Sequence, residues 1–509
     1  MKISRIKYFV FVALSAIFFS CGEKENPIVN PVNGSEDPTP ASPTVTKPSL
    51  EIQQADQFAI DLFSTFYLWS AEVKKDLPRL TPDTCKVPVS VVKEIRYHKD
   101  GKTIDRWTEL TPDLESMTSS VQGLGLSYGY GIDAFWADES QTNIVFIVQY
   151  VNNGKPAQLK GLKRGDVIWK VDGSYITSSN YSSCVQKAYY SNSVTLDIGD
   201  DPSHIQSISM TADTNWENPV IVSKTFDIDG KKVGYLFYSA FDIDSATYLP
   251  DVFRKFKQDG IEELILDLRY NGGGFAFTEC ELASMIAPPA NVAAGDVFQT
   301  EIYNAILSEA WKDEDFNTYF HTKFDYKDEK REIHEDVADA NPGIKKLYAI
   351  VTQGSASASE GLIVGLAPYI DIELIGDKHT YGKYCAGYMM SPENLYGKNS
   401  SYDYSEITNW GMYVMVSMFT DKDGKNAAQP SGIPVDIQVE EKLWDGYQLG
   451  DENETMLKAA LIAAGKSYPE TRSPGTELLM ESVSGRYVLS AKPKGFLIKT
   501  DVPSFRNNF

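Results

Sequence analysis

The spacing of apolar residues changes along this chain, and the changes predict a helical beginning followed by strands that alternate with helices. After residue 50, apolar residues recur at helical intervals at Ala55, Phe58, Ala59, Leu62, Phe63 and Phe66. A helix with one apolar face must pack that face against another element. We therefore expect a helical N-terminal region over residues 50–117 that packs on the rest of the protein.

Short apolar strands separated by helices are predicted further along. They are, in order, the strand Val233–Tyr238, a helix with Leu249, Val252, Phe253 and Phe256 on one face that ends near Gly260, the strands Leu264–Leu268 and Leu347–Val351, and a helix to about Ala367. Strands that alternate with helices are typical of an α/β sheet. The sequence thus predicts an α/β core over residues 211–466 in a mixed α+β multidomain chain.

Other segments depart from this alternation. Residues 290–343 are long and charged, which predicts an insertion over the core, whereas Trp410–Thr420 is a further apolar strand and Met456–Ala464 a closing helix. The tail over residues 467–509 has weak periodicity and no predicted role. Between the helical region and the core, Ile132–Trp136, a turn and a returning apolar run predict a hairpin, so we expect a β-rich domain over residues 118–210.

A run of small residues, Gly354–Glu360, lies between the strand Leu347–Val351 and the next helix. Such a turn can expose a hydroxyl beside the first free N–H groups of the helix, where negative charge is favoured. An acyl-transfer nucleophile needs this layout. Small residues also occur where a strand and a helix simply pack closely, so the turn alone does not decide between the two interpretations.

Two other stretches favour the catalytic interpretation. Lys383 follows about one helix and one strand later, and a lysine acts as a general base where burial lowers its pKa toward neutrality. Its alternative is a solvated surface lysine. The strand Leu264–Leu268 runs into a triple glycine at Gly272–Gly274, whose backbone N–H groups could approach a ligand.

Gly354–Glu360, Asp267–Gly274 and Tyr381–Lys383 together resemble the carboxy-terminal processing, or tail-specific, serine peptidases, which use a Ser–Lys dyad. The motifs occur in the family's order, and family-like features extend over residues 50–465. The resemblance implies a ClpP/crotonase-like peptidase core. It also implies proteins or peptides as substrates and no cofactor.

The same resemblance implies the role of individual residues. Ser357 is the implied nucleophile and Lys383 the implied base, while the N–H groups of Gly273 and Ala358 are the implied oxyanion donors. Lys383 lies one residue further along than the usual family spacing, because residues 377–380 resemble a short insertion.

A second departure concerns the group that orients the lysine. Some family members place a glutamine four residues after it, where this chain has Gly387. The remaining candidates for that group are Glu360, Tyr384 and Tyr388.

Pro156–Gly173 resembles part of a PDZ domain, whose glycine loop binds a peptide C-terminal carboxylate while the peptide adds as a strand. The loop is Tyr130, Gly131 and Ile132 or the earlier Leu124–Leu126, and the first is favoured because a strand begins directly after it. The resemblance implies substrates with apolar C-termini. A PDZ-like fold used only as a spacer or lid is the alternative.

The chain begins with Lys2, Arg5 and Lys7, an apolar run too short to span a bilayer, and Cys21. This predicts a signal peptide over residues 1–20, and its cysteine resembles a bacterial lipoprotein signal, although Phe18 replaces the usual leucine. Residues 21–49 are rich in Pro, Ser, Thr and Asn, which predicts a disordered tether. We expect lipidation of Cys21 and a bacterial cell-envelope location, on the periplasmic or cell-surface face of the outer membrane. An ordinary cleaved signal peptide is the alternative.

The composition and the spacing of histidines and cysteines argue against several kinds of site. A net charge of −22 argues against a nucleic-acid surface. The five histidines are scattered and the cysteines widely spaced, so we predict no metal site. Cys280 and Cys385 each follow a predicted site motif, and we expect two unpaired buried thiols rather than a disulfide.

These observations predict a serine endopeptidase of the C-terminal processing type. The shifted lysine and the missing glutamine leave an alternative, a peptide-binding or scaffolding lipoprotein that keeps the peptidase fold without turnover. A Ser–His–Asp hydrolase is a third hypothesis, since His379 is the histidine near the motifs.

Overall fold

The computed structural model describes residues 47–115, 117, 126–328, 331–398 and 400–469, together with the backbone of residues 496–498. The predicted signal peptide, Cys21, most of the tether, residues 118–125 and most of the tail after residue 469 lie outside the described residues. Within the part that is described, no helix combines the length and the apolar character needed to cross a membrane.

The N-terminal region combines helices with short strands. Ser49 caps the first helix by accepting a hydrogen bond from the Ile52 N–H at 3.3 Å, and the predicted apolar face is buried. The strand Glu109–Thr111 pairs antiparallel with Gly411–Thr420 of the core, so a sheet joins the two regions. The elements are α1 (Leu50–Thr65), α2 (Ser70–Val73), α3 (Pro88–Ile95), β1 (His98–Lys99), β2 (Lys102–Thr103) and β3 (Glu109–Thr111).

The next part of the chain is a β-rich domain, a name used below for residues 126–213. Its elements are β4 (Tyr130–Trp136), β5 (Ile144–Val151), α4 (Pro156–Leu159), β6 (Val167–Val171), β7 (Ser174–Tyr175), α5 (Tyr181–Tyr190), β8 (Ser193–Ile198) and β9 (Gln206–Thr211). The sheet order is β4-β5-β6-β8-β9, with β7 beside β6. The predicted hairpin is confirmed, because β4 and β5 are antiparallel neighbours. Residues of α5 pack on the sheet in one apolar cluster.

The core follows as two sheets with helices between and around them. Its elements are β10 (Val220–Ile228), β11 (Lys231–Tyr238), α6 (Leu249–Asp259), β12 (Glu263–Asp267), β13 (Gly273–Phe275), α7 (Ala276–Ile286), α8 (Pro289–Ala294), β14 (Val297–Tyr303), α9 (Ala305–Ala310), β15 (Asn317–Tyr319), β16 (Lys323–Lys327), β17 (Glu332–Asp336), β18 (Lys346–Val351), α10 (Ala358–Leu366), β19 (Asp371–Gly376), β20 (Cys385–Met390), α11 (Pro392–Tyr396), β21 (Gly411–Thr420), β22 (Ile437–Gln438), α12 (Thr455–Ala463) and β23 (Phe496–Ile498).

The first core sheet is buried on both faces. Its strand order is β10-β11-β12-β18-β19-β22, and every neighbouring pair except β10 and β11 is parallel. Along β12, Leu264 and Leu266 pack into one apolar cluster, while Ile265 packs into a second cluster that includes residues of α12. A continuous apolar run is what a parallel strand buried on two sides requires. The predicted mixed α/β core is therefore confirmed.

The second core sheet has the order β13-β23-β20-β21-β14-β15. Its strand β14 pairs antiparallel with β21, so the prediction that residues 290–343 form an insertion over the core was wrong for this stretch. The alternation of apolar residues is weak there because Gln299 and Glu301 are themselves buried. Of the predicted tail, the backbone of β23 lies between β13 and β20.

A buried cluster of charges joins the β-rich domain to the core. Arg164 donates from Nη2 to Glu441 Oε1 at 2.9 Å, and Arg269 donates to Asp267 Oδ2 and Glu454 Oε1, both at 2.6 Å. All five side chains are buried. Charges removed from water are stable only when they are paired. This cluster therefore fixes the β-rich domain beside the loop that follows β12.

Candidate active site

Ser357 lies on the turn between β18 and α10. Its backbone has φ +63° and ψ −114°, and α10 begins at the next residue. An L-residue with positive φ is strained, and such strain persists only where the surrounding structure imposes it. The side chain is fully buried. The predicted strand-to-helix turn is present, and it places this hydroxyl at the N-terminus of a helix.

The three serines of the turn differ in what their hydroxyls bind. Ser355 Oγ donates to Leu268 O at 2.7 Å, and Ser359 Oγ donates to Asn271 O at 2.9 Å. Both bonds tie the turn to the loop after β12. Ser357 Oγ, in contrast, is buried without a hydrogen-bond partner among the described residues. A buried hydroxyl without a partner is costly and calls for an explanation.

Glu360 holds the serine turn and the lysine loop together. Its Oε2 accepts from the N–H groups of Ser357 at 3.1 Å and Lys383 at 2.8 Å. Its Oε1 accepts from Thr380 Oγ1 at 2.5 Å and the Gly382 N–H at 2.7 Å. Burial raises the pKa of Glu360 to about 7, although these four donors favour the carboxylate. Because one oxygen binds both N–H groups, the backbones of Ser357 and Lys383 are adjacent.

Lys383 is fully enclosed by protein. Burial lowers the pKa of its ammonium group to about 8, against the opposing influence of Cys385, Asp105 and Glu360. A lysine with such a pKa is partly neutral near physiological pH, which is the state that a general base needs. Its Nζ donates to Tyr413 Oη at 2.9 Å.

Two aromatic residues at this lysine were not predicted from the sequence. Tyr384 and Tyr388 were candidates for the orienting group, but Lys383 Nζ donates a hydrogen bond to Tyr413 on β21. The centre of the Trp107 ring, from the N-terminal region, lies 5.6 Å from the same Nζ. Both contacts depend on the pairing of distant strands, so the residues around Lys383 do not identify these partners by name.

Gly273 and Ala358 lie beside Ser357. A Cβ atom at Gly273 would lie 2.7 Å from Ser357 Cβ and 3.0 Å from Ala358 N. Ala358 is the first residue of α10, so its N–H has no acceptor within the helix. The Gly273 N–H donates to Asn271 Oδ1 at 2.9 Å. It must therefore leave Asn271 before it can stabilise an oxyanion.

The predicted carboxylate-binding residues of the β-rich domain lie in β4, which is the first strand of its sheet in the part of the chain that the structure describes. Tyr130, Gly131 and Ile132 are all buried in β4, and Gly131 lies against the Tyr150 ring. The Ile132 N–H donates to Tyr189 Oη at 2.9 Å. A peptide can add to this edge only where Tyr189 releases the backbone of Ile132.

His379 takes part in a backbone contact. Its Nδ1 lies 2.6 Å from the carbonyl oxygen of Thr380 and donates to it, while Thr380 N donates to Ile433 O at 3.0 Å. The stretch that lengthens the serine-to-lysine spacing is thus braced by the loop around Ile433. Ser357 Oγ accepts no hydrogen bond from this histidine.

No group of three or more His, Cys, Asp or Glu side chains that could hold a metal ion occurs within residues 47–469 as far as they are described. Cys280 and Cys385 are both buried, and neither forms a disulfide with a described residue, as predicted from the sequence. Cys21, the predicted lipidation site, lies outside the described residues.

Part of this chain matches a known protein family. Residues 232–439 match the model of peptidase family S41. A CtpA-like serine protease of Staphylococcus aureus (strain N315) is 26% identical over 255 residues, which are 48% of this chain and 43% of that protein. The carboxyl-terminal-processing protease of Picosynechococcus sp. (strain ATCC 27264 / PCC 7002 / PR-6) is 24% identical over 235 residues, 45% of this chain and 49% of that protein. The matches thus span less than half the length of these relatives.

A solved structure extends the likeness beyond the matched segment. The crystal structure of an S41 protease from Bacteroides fragilis NCTC 9343 superimposes with a TM-score of 0.60 at 22% identity. The superposition covers 80% of this chain and 97% of that one. The two chains therefore share a fold over most of their length.

Proposed function

We propose that this chain, whose residues 232–439 match the model of peptidase family S41, is a serine endopeptidase of the C-terminal processing type with a Ser357–Lys383 dyad. The observation that carries the proposal is the pairing of two groups held to the same carboxylate. One is Ser357 Oγ, a buried hydroxyl on a strained turn with no hydrogen-bond partner among the described residues, and the other is the desolvated Lys383. Proteins or peptides are the substrates that this family implies.

The proposed reaction proceeds through an acyl-enzyme. Neutral Lys383 takes the proton of Ser357 Oγ as that oxygen attacks the carbonyl carbon, and negative charge develops on the carbonyl oxygen. The Ala358 N–H, at the positive end of α10, stabilises this charge, and the Gly273 N–H joins it after leaving Asn271 Oδ1. The Lys383 ammonium then protonates the leaving amine as the C–N bond breaks. Water hydrolyses the ester, again with Lys383 as base.

We also propose that the β-rich domain binds the C-terminal segment of the substrate, in the manner of a PDZ domain. Among the described residues, β4 lies at one end of the sheet, and its outer edge near Ile132 is the place where an apolar peptide would add as a further strand. The added strand would replace the contact between Ile132 N–H and Tyr189 Oη.

Lipidation of Cys21 and attachment to a bacterial envelope membrane complete the proposal. Residues 21–49 would then tether the folded part of the protein to the lipid. A mature protein that carries no lipid on Cys21 by mass spectrometry contradicts this part of the proposal and leaves the peptidase activity open.

Cleavage of an unstructured protein with an apolar C-terminus tests the activity. We expect the unsubstituted protein to cut it and the folded Ser357→Ala and Lys383→Ala variants to lose nearly all turnover. Ser401→Ala and Lys398→Ala, which change an exposed serine and an exposed lysine, are matched controls. A folded protein that binds the tail and never cuts it favours the non-catalytic scaffold.

The pH dependence separates the lysine from a histidine base. Because Lys383 must lose a proton, kcat/KM should rise as pH increases through about 8. We expect the same rise in His379→Ala. If the rise of kcat/KM with pH is lost in His379→Ala, the base is the imidazole of His379 rather than the amine of Lys383.

A further inference from the structure

We propose that Tyr413 is the residue that positions the amine of Lys383, and that Gly387 is the small residue that gives the Tyr413 ring its place. The inference rests on the proposed dyad and adds a third member to it. It assigns the orienting role to a tyrosine on β21 rather than to a residue beside the lysine in sequence.

The packing of β20 against β21 supports this assignment. The two strands are antiparallel, with Gly387 opposite Met415 and an irregularity in the pairing between Ala386 and Gly387. A Cβ atom at Gly387 would lie 2.7 Å from both Cε2 and Cζ of Tyr413 and 2.5 Å from Met415 Cε. Real Cβ atoms do not approach other atoms so closely. Any larger residue at 387 would therefore displace the ring whose hydroxyl meets Lys383.

The chemistry of the amine explains why a hydroxyl is useful there. A neutral lysine has two N–H groups and one lone pair, and only the lone pair can take the proton of Ser357. Tyr413 Oη accepts an N–H of Lys383 at 2.9 Å, which restricts rotation of the amine without occupying the lone pair. The rings of Tyr413 and Trp107 lie 5.2 and 5.6 Å from Nζ. They exclude water and favour the ammonium formed midway through the reaction.

Several charged or titratable groups also face Lys383. Asp105 comes from the N-terminal region, Glu360 from α10 and Cys385 from β20, and all three favour the ammonium form. The Tyr413 hydroxyl acts in the same direction, because an ammonium donates a stronger hydrogen bond than an amine. Removal of this hydroxyl should lower the pKa of Lys383 further. A merely structural role for Tyr413 would leave that pKa unchanged.

The first test is Tyr413→Phe, which keeps the ring and removes the hydroxyl. We expect kcat to fall by roughly 10- to 100-fold, because misplacement of a reacting group is costly, with KM within about twofold. The acid limb of kcat/KM should move to lower pH. Tyr303→Phe is the matched control, since it removes another buried hydroxyl from the same sheet, one that donates to Glu301. If Tyr413→Phe changes neither kcat nor the pH at which kcat/KM rises, the inference is wrong.

A reciprocal pair of substitutions tests the spatial part of the inference. Gly387→Gln alone should inactivate the protein, because its side chain collides with the Tyr413 ring. Tyr413→Ala alone should lose the positioning of the lysine. The double variant Gly387→Gln/Tyr413→Ala should recover activity above either single variant, since the amide can then take the place of the hydroxyl. If the double variant is no more active than the single variants, the glutamine amide does not replace the Tyr413 hydroxyl, and the spatial part of the inference is wrong.

A titration that needs no substrate separates this inference from the proposed function. In protein labelled with ¹³C-lysine, the Lys383 signal is assigned by its loss in Lys383→Arg and followed against pH. The inference requires a lower pKa in Tyr413→Phe and an unchanged one in Tyr303→Phe. If the unsubstituted protein never cleaves but this shift is present, the proposed function fails and the contact stands. If the shift is absent, the inference itself fails.

Discussion

The carboxylate of Glu360 accepts four hydrogen bonds, two on each oxygen, and all four donors belong to the serine turn or the lysine loop. A carboxylate can do this because both of its oxygens are acceptors, whereas an amide has one acceptor and one donor. The donors are buried, so each one that loses its partner costs the full penalty of desolvation. At this position the negative charge matters less than the number of acceptor atoms.

Glu360→Gln should therefore destabilise the protein by about 2–4 kcal/mol, because about two buried donors lose their acceptor. Urea unfolding of the folded variants measures the difference. Glu373→Gln is the matched control, since Glu373 forms a partly exposed ion pair with Lys346 at 2.7 Å. Such pairs contribute about 0–1 kcal/mol. If both variants lose the same free energy of unfolding, the four hydrogen bonds of Glu360 stabilise the protein no more than a partly exposed ion pair does.

At the scale of elements, the loop after β12 and the turn before α10 form one unit. The Ala356 N–H donates to Asn271 O at 3.0 Å, and the serines at 355 and 359 add side-chain bonds to the same loop. Gly273 completes the contact with φ +101°. The backbone of this loop and the predicted nucleophile thus hold each other in place.

Gly273→Ala should abolish this fit. The new methyl group would lie 2.7 Å from Ser357 Cβ and 2.8 Å from Ala356 O, at a φ that only glycine adopts readily. We expect kcat to fall by about 100-fold or more in the folded fraction. Gly260→Ala is the control, because Gly260 has φ +73° and open space around it. That change should cost about 1 kcal/mol and leave turnover per folded molecule unaltered.

The same elements show what sequence could and could not predict. The turn at Ser357 was predictable, because a continuous apolar strand, a small-residue run and a helical stripe follow one another in sequence. The partner of Lys383 was not, because Tyr413 reaches it only through the pairing of β20 with β21. Gly387 contained the relevant hint, since a missing side chain indicates that something else fills the space. The strand β14 was not predicted as part of the core, because Gln299 and Glu301 belong to residue types that are usually exposed, although both are buried here.

For the whole molecule, the position of the β-rich domain depends on Arg164. Its guanidinium is buried and donates to Glu441 Oε1 at 2.9 Å and to Glu454 Oε1 at 3.3 Å. Burial opposes the carboxylate of Glu454, but Arg269 and Arg164 outweigh it and lower its pKa from 4.5 to about 2. A lowered acid pKa contributes stability above the ordinary value, and this contribution is lost as pH falls from 4.5 toward 2.

Arg164→Leu tests this interface in two ways. It leaves buried carboxylates short of a partner, so the free energy of unfolding at pH 7 should fall by about 3–5 kcal/mol. The pKa of Glu454 should rise toward its ordinary value, which makes the remaining loss of stability between pH 4.5 and 2 smaller than in the unsubstituted protein. Lys163→Leu removes the same charge from the exposed neighbouring residue and should change stability by less than about 0.5 kcal/mol. If Arg164→Leu behaves like Lys163→Leu at pH 7 and in acid, the two domains are held together by apolar packing, and the buried charges contribute nothing to their attachment.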